Sequence, residues 1–159
     1  MSVTPEELAA LRAQAAAEYP HESCGVILTR GAERQLIPCR NVQNDLHAKD
    51  PHLHPRDART AYYIDPADLL RIGRLESQGF VVAVIYHSHI DAGAYFSETD
   101  KRNALMGGEP TYPDATYLVT SVMSGRVEAT AAFRWDAARR DFVPVSLPEL
   151  SASGQESSR

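Results

Sequence analysis

Seven consecutive residues, Phe80-Val-Val-Ala-Val-Ile-Tyr86, carry almost no polarity and run directly into His87-Ser88-His89. A half-exposed strand alternates apolar with polar side chains, whereas this pattern belongs to a strand covered on both faces. Elements able to cover it can be read on either side. Thr4-Pro5-Glu6-Glu7 reads as a helix start, with a hydroxyl cap, proline at the first helical position and acids in the positive first turn. That helix is expected to run to about Glu18, with Leu8, Leu11 and Ala15 inward, and to end at Tyr19-Pro20. Asp65-Pro66 caps a second helix through about Gln78, carrying Leu69, Ile72 and Leu75 and closed by Gly79.

Cys24 to Arg30 reads as a largely buried strand, Gly31 turns the chain, and Gln35 to Cys39 pairs back as a hairpin. Further strands are expected at Ala115 to Val122, Arg126 to Trp135 and Asp141 to Val145, the first two joined by a turn at Ser124-Gly125. Tyr62 to Ile64 reads as a short strand. Asn41 to Arg59 reads as an irregular loop, and a loop that long in a compact domain is usually functional or mobile. Ser97-Glu98-Thr99-Asp100 resembles a capping box opening a helix to about Met106, stopped by Gly107-Gly108. The expected fold class is α/β, with helices packed on a central, mostly antiparallel sheet. One domain over residues 1–150 accounts for these elements, and the Ser-rich segment 151–159 is expected to be a disordered tail.

Composition narrows the function. The 159 residues include 16 basic and 21 acidic side chains, a formal net charge of −5, which argues against a nucleic-acid partner. No apolar run of about 18 residues is present, so no membrane span is expected. The first residues lack the basic and then apolar stretches of a secretory signal, and two cysteines, Cys24 and Cys39, are too few for a disulfide framework. The expected compartment is the cytoplasm, with both thiols reduced and buried.

The residues that carry chemistry start at the end of the apolar strand. In a strand, positions i and i+2 share a face, so His87 and His89 can point at one spot. Two sheltered imidazoles without partners are costly, and a divalent cation removes that cost. Taken alone, His-x-His proves little. Asp100, eleven residues beyond His89 and in the first turn of the next helix, can fold back toward them. Two histidines and one carboxylate leave a fourth tetrahedral position open, which is the arrangement of a catalytic zinc site rather than a structural one. Asp100 also reads as the reciprocal member of the capping box, and the two roles share one geometry.

The stretch from His87 to Asp100 resembles the signature of the JAMM metallopeptidases, also called MPN-plus or JAB domains: His-x-His, seven residues, Ser, two residues, Asp, with a glutamate far upstream. Seven residues separate His89 from Ser97 and two separate Ser97 from Asp100, while Glu22 stands before the first strand where that glutamate is expected. Family members often have proline after the second histidine and before the serine; this chain has Ile90 and Phe96. Those positions shape the loop and supply no ligand.

The resemblance implies an MPN/JAB-like fold, similar overall to that of cytidine deaminases, and the following roles. His87, His89 and Asp100 bind Zn²⁺. Glu22 takes the proton of the zinc-bound water and returns it to the leaving amine. Ser97 steadies the oxyanion or the water through its hydroxyl. The reaction is hydrolysis of the amide bond after the C-terminal Gly-Gly of a ubiquitin-like or sulfur-carrier protein of the ThiS or MoaD type. Size favours carrier processing, since a separate ubiquitin-recruiting domain has no room. The alternative is an isopeptidase removing a ubiquitin-like modifier from conjugated targets in a bacterial system, and the sequence does not separate the two. Oligomeric state is not legible either. A non-enzymatic MPN scaffold would lack the ligands retained here. A zinc deaminase needs a Cys-x-x-Cys pair, and Cys24 and Cys39 are isolated. His47, His52 and His54 beside Asp45, Asp50 and Asp57 read as a solvated polar loop that borders the substrate groove.

Overall fold

The structure is a computed structural model that describes residues 2–150, so the expected tail at 151–159 lies outside the described residues. Twelve elements follow in chain order: α1 (Pro5–Glu18), β1 (Cys24–Arg30), β2 (Glu33–Cys39), α2 (Gln43–Lys49), α3 (Pro66–Ser77), β3 (Val81–Ile90), α4 (Glu98–Ala104), β4 (Leu105–Met106), β5 (Glu109–Pro110), β6 (Thr116–Met123), β7 (Arg126–Asp136) and β8 (Asp141–Val145). Six strands form one sheet in the order β2-β1-β3-β6-β7-β8. Every neighbouring pair is antiparallel except β3 with β6, which is parallel.

The apolar run therefore occupies the middle of the sheet, where both faces must be covered. Val84 and Tyr86 join Leu8 and Leu11 of α1 in one buried cluster. Val82 and Ile85 join Ile72 of α3 and Ala104 of α4 in a second cluster on the opposite face. α1 starts as expected: Thr4 Oγ1 accepts from the Glu7 N–H at 3.1 Å, and Glu7 returns the bond to the Thr4 N–H at 2.8 Å. It is tied down further by Gln14, which accepts from the Tyr86 hydroxyl at 2.6 Å and donates to the Cys24 carbonyl at 3.0 Å. Gly25 makes room for this link, because a Cβ there would overlap the Tyr86 hydroxyl.

Three expectations are corrected. The segment Asn41 to Arg59 is not wholly irregular, since it contains α2; the polar composition hid a short helix whose Gln43 is buried. Tyr62 to Ile64 does not pair as a strand, and only a single bridge, Asn41 with Ile64, forms there. The helix from Ser97 stops at Ala104 rather than Met106, because Gly107-Gly108, both at positive φ, turn a small β4–β5 hairpin. No described helix is long and apolar enough to cross a membrane.

Candidate active site

Period-two alternation along β3 puts His87 and His89 on the same face as Ile85, at the strand's C-terminal end. Their Nε2 atoms lie 3.3 Å apart. Asp100 enters from α4: its Oδ2 is 3.0 Å from His87 Nε2 and 3.1 Å from His89 Nε2. All three side chains are buried.

The α4 N-terminus explains how the aspartate arrives. Ser97 Oγ accepts from the Asp100 N–H, and Asp100 Oδ2 accepts from the Ser97 N–H, both at 3.0 Å. The oxygen that closes the capping box is thus the one facing both imidazoles, so cap and cluster are one structure. Burial by itself would raise the Asp100 carboxyl. The charge on His87 and the hydrogen bonds from His87, His89 and the Ser97 N–H outweigh it and hold the group well below the usual carboxylate range.

These residues fit a cation. Their donor atoms all lie within 4.8 Å of one another, and two imidazole nitrogens with one carboxylate oxygen form a donor set suited to zinc. His89 Nδ1 lies 2.9 Å from the Gly93 carbonyl. A carbonyl only accepts, so Nδ1 carries a proton, and the neutral ring would offer its Nε2 lone pair to a cation in place of the hydrogen bond it gives Asp100 here. His87 is held differently. Tyr62 stacks on its ring at 4.7 Å, and its Nδ1 is buried without a hydrogen-bond partner. Asp100 holds that ring at Nε2, and stacking rather than a second hydrogen bond holds it on the Nδ1 side.

Glu22 is 6% exposed and sits in a clamp. Its N–H donates to the Ala58 carbonyl at 2.7 Å, and its own carbonyl accepts from Asn41 Nδ2 at 2.9 Å. The next residue is bound to the strand: Ser23 N–H donates to Ser88 Oγ at 2.7 Å, and the Ser88 N–H donates to the Ser23 carbonyl at 3.1 Å. Cys24 lies opposite His87 in the β1–β3 register, which brings the upstream glutamate to the histidine end of the sheet. Burial, and then the negative charge of Asp100, push the Glu22 carboxyl up to about 9, with Arg56 opposing.

A cavity of about 350 Å³ opens over this cluster, lined by Glu22, His89, Tyr95, Ser97 and Arg102, with Arg56 and Arg59 from the long loop. Arg56 and Arg59 of the long loop thus line this cavity. Ser97 accepts through its hydroxyl oxygen in the cap, which leaves its O–H free to donate into the cavity. The two aromatics between the ligands divide their work. Phe96 is buried against Tyr117, Phe133 and Phe142, while Tyr95 is exposed and meets the edge of His89 at 4.9 Å.

Sequence reasoning brought Glu22, His87, His89, Ser97 and Asp100 to attention, and all five meet here. It missed the residues that hold them: Ser88, Asn41, Tyr62 and the Gly93 carbonyl. Only Ser88 carried a signal, since alternation sends the middle residue of His-x-His to the opposite face. The loop histidines do not gather a further metal-type cluster among the described residues, and His47 Nδ1 instead meets the His54 carbonyl at 2.8 Å. Cys24 and Cys39 are free and buried, and burial pushes the Cys39 thiol up to about 12, far from a reactive thiolate.

Residues 4–138 match the family described as prokaryotic homologs of the JAB domain. The chain belongs to that family. Two curated relatives of different name are similar to this chain. Tail tip assembly protein K of Escherichia phage N15 is 38% identical over 115 residues, covering 72% of this chain and 37% of that protein. The CysO-cysteine peptidase of Mycobacterium tuberculosis is 34% identical over 113 residues, covering 70% of this chain and 66% of the peptidase. The chain thus spans about a third of the phage protein's length and just under two thirds of the peptidase's. Among solved structures, a protein from Salinibacter ruber is similar with a TM-score of 0.58 at 30% identity, covering 92% of this chain and 90% of its own. A Desulfitobacterium hafniense protein shares the fold with a TM-score of 0.61 at 20% identity, covering 91% and 88%.

Proposed function

We propose that this JAB domain is a zinc-dependent peptidase that hydrolyses the amide bond after the C-terminal Gly-Gly of a ubiquitin-like or sulfur-carrier protein. The observation that carries this reading is the meeting of His87 Nε2, His89 Nε2 and Asp100 Oδ2 within 3.3 Å of one another, at a cavity also lined by Glu22 and Ser97. The 34% identical relative named CysO-cysteine peptidase supports the choice of substrate class.

In this reading His87, His89 and Asp100 hold the metal. Zinc, when bound, supplies positive charge that polarises a carbonyl and acidifies a water at neutral pH. With a bound cation's charge returning its carboxyl to the ionised form, Glu22 would remove a proton from the attacking water and later deliver it to the leaving amine. Its burial keeps that proton from leaking to solvent, and the Ser23–Ser88 and Asn41 clamps keep its backbone fixed while it does so. Ser97 donates its O–H to the oxygen on which negative charge develops, an effect worth about 3 kcal/mol at comparable sites.

The test is a cleavage assay with zinc-loaded protein and a sulfur-carrier protein extended beyond its diglycine, followed by intact-mass spectrometry. Release of the extension, leaving a carrier that ends in Gly-Gly, is the expected result. A carrier that stays intact while unrelated peptides are cut removes the substrate assignment.

A further inference from the structure

Three arginines, Arg56 and Arg59 from the long loop and Arg102 from α4, share the cavity with Glu22, His89 and Ser97. Arg30, Arg34, Arg40 and Arg140 are all ion-paired. The side chains of Arg56 and Arg59 make no hydrogen bond or ion pair among the described residues, and Arg102 reaches only the Thr99 hydroxyl, at 3.5 Å. Unpaired arginines occur elsewhere on the surface; these three are set apart by facing one concavity beside the candidate site. Glu98 also lines this cavity, but its exposed carboxylate lies 3.8 Å from Lys101. Glu22 feels the charge of Arg56 and Asp91 that of Arg59, yet neither acid closes an ion pair with them, so these guanidinium forks keep their donors for an entering carboxylate, to which their planar geometry is matched.

We propose that Arg56, Arg59 and Arg102 form a carboxylate-binding rim, so that the group removed by this site ends in a free α-carboxylate a residue or two beyond the scissile bond. The inference rests on the hydrolase reading of the same site and specifies its leaving group. A short C-terminal tail carries its terminal carboxylate into the cavity. A lysine side chain inside a folded target carries none. The rim thus makes the protein a trimmer of chain ends and a poor remover of isopeptide-linked modifiers. Since all three arginines are exposed, neutral replacements leave the core untouched.

The test uses zinc-loaded Glu22→Gln protein as a binder that does not turn over. Isothermal titration compares a peptide ending Gly-Gly-Ala as the free acid, the same peptide as its amide, and an amide-capped peptide ending Gly-Gly-Asp. The free acid is expected to bind about tenfold tighter than the amide, and replacing all three arginines by glutamine is expected to collapse that preference to about twofold or less. Lysine at the same positions should restore part of it. Equal binding of acid and amide overturns the rim. So does a preference that survives the triple replacement, since the cation itself would then be taking the carboxylate. If the Gly-Gly-Asp amide binds as well as the free acid, the rim reads an acidic side chain and the terminal-carboxylate assignment falls. Parallel turnover by the zinc-loaded wild type separates the two proposals. An acid preference in binding with neither peptide cleaved removes the hydrolase and keeps the rim, whereas equal cleavage of acid and amide keeps the hydrolase and removes the rim.

Discussion

Glu22 shows how one buried acid links the chemistry of this site to its stability. Its carboxyl titrates at about 9 in the folded chain against 4.5 in an exposed one, because burial and the charge of Asp100 both disfavour ionisation. A group whose folded pKa is raised contributes stability that is full below 4.5 and is lost as pH rises through about 9. At pH 7 the loss amounts to about 3 kcal/mol. Glu22→Gln, which cannot ionise, is therefore expected to raise the melting temperature of metal-free protein at pH 7–8 and to leave it little changed near pH 4, as read by thermal denaturation at both pH values. The same variant should retain zinc and lose roughly 10²–10⁴-fold in turnover. His89→Ala and Asp100→Ala should lose the metal itself. Stoichiometric zinc in either, by elemental analysis, removes the ligand assignment. Ser97 has two roles that substitution can part. Ser97→Ala should lower stability by about 1 kcal/mol through loss of the cap and slow turnover by one to three orders of magnitude. Ser97→Asp should return the cap without returning the rate.

Elements, rather than single side chains, decide where the candidate catalytic groups stand. The segment between β3 and α4 carries no regular structure, yet its far end must be held to within a hydrogen-bond length for Asp100 to reach both histidines. Phe96 supplies the anchor by burying its ring among Tyr117, Phe133 and Phe142. This answers the absence of a stiffening proline before the serine: burial holds the loop instead. Phe96→Ala is expected to cost about 3–5 kcal/mol in global stability and to weaken zinc retention, which denaturant titration and metal analysis would measure together. On the other face, β1 and α1 meet through Tyr86 and Gln14 across Gly25. Gly25→Ala forces a methyl into the Tyr86 hydroxyl and the Ile37 carbonyl, and should destabilise by about 1–3 kcal/mol with the zinc ligands unchanged. A Gly25→Ala protein as stable as the parent would show that this crossing tolerates slack.

For the molecule as a whole, binding of the proposed metal would be coupled to folding, because β3 and α4 bring the donor atoms of His87, His89 and Asp100 within 4.8 Å of one another only once they pack in the folded state. Free zinc at about 100 times its dissociation constant should raise stability by about 2.7 kcal/mol. That gain should shrink as pH is lowered, since protonated ligands cannot bind a metal. Much of the molecule was legible without coordinates. Apolar runs and helix caps placed α1, α3, β1, β3 and the last strands, because backbone propensity and burial act over a few neighbouring residues. The spacing from His87 to Asp100 was equally readable, since a strand end, a short loop and a helix cap are local structures. What lay beyond reach depended on distant segments meeting. Nothing near Glu22 says that its carboxyl faces Asp100, that Ser88 holds its neighbour, or that Asn41 carries its carbonyl. Nothing in the loop composition says that Arg56 and Arg59 line the cavity that His89 shares. Local order follows from the chain's own pattern of polar and apolar residues, whereas the neighbours of a buried charge are chosen by the packing of the whole sheet.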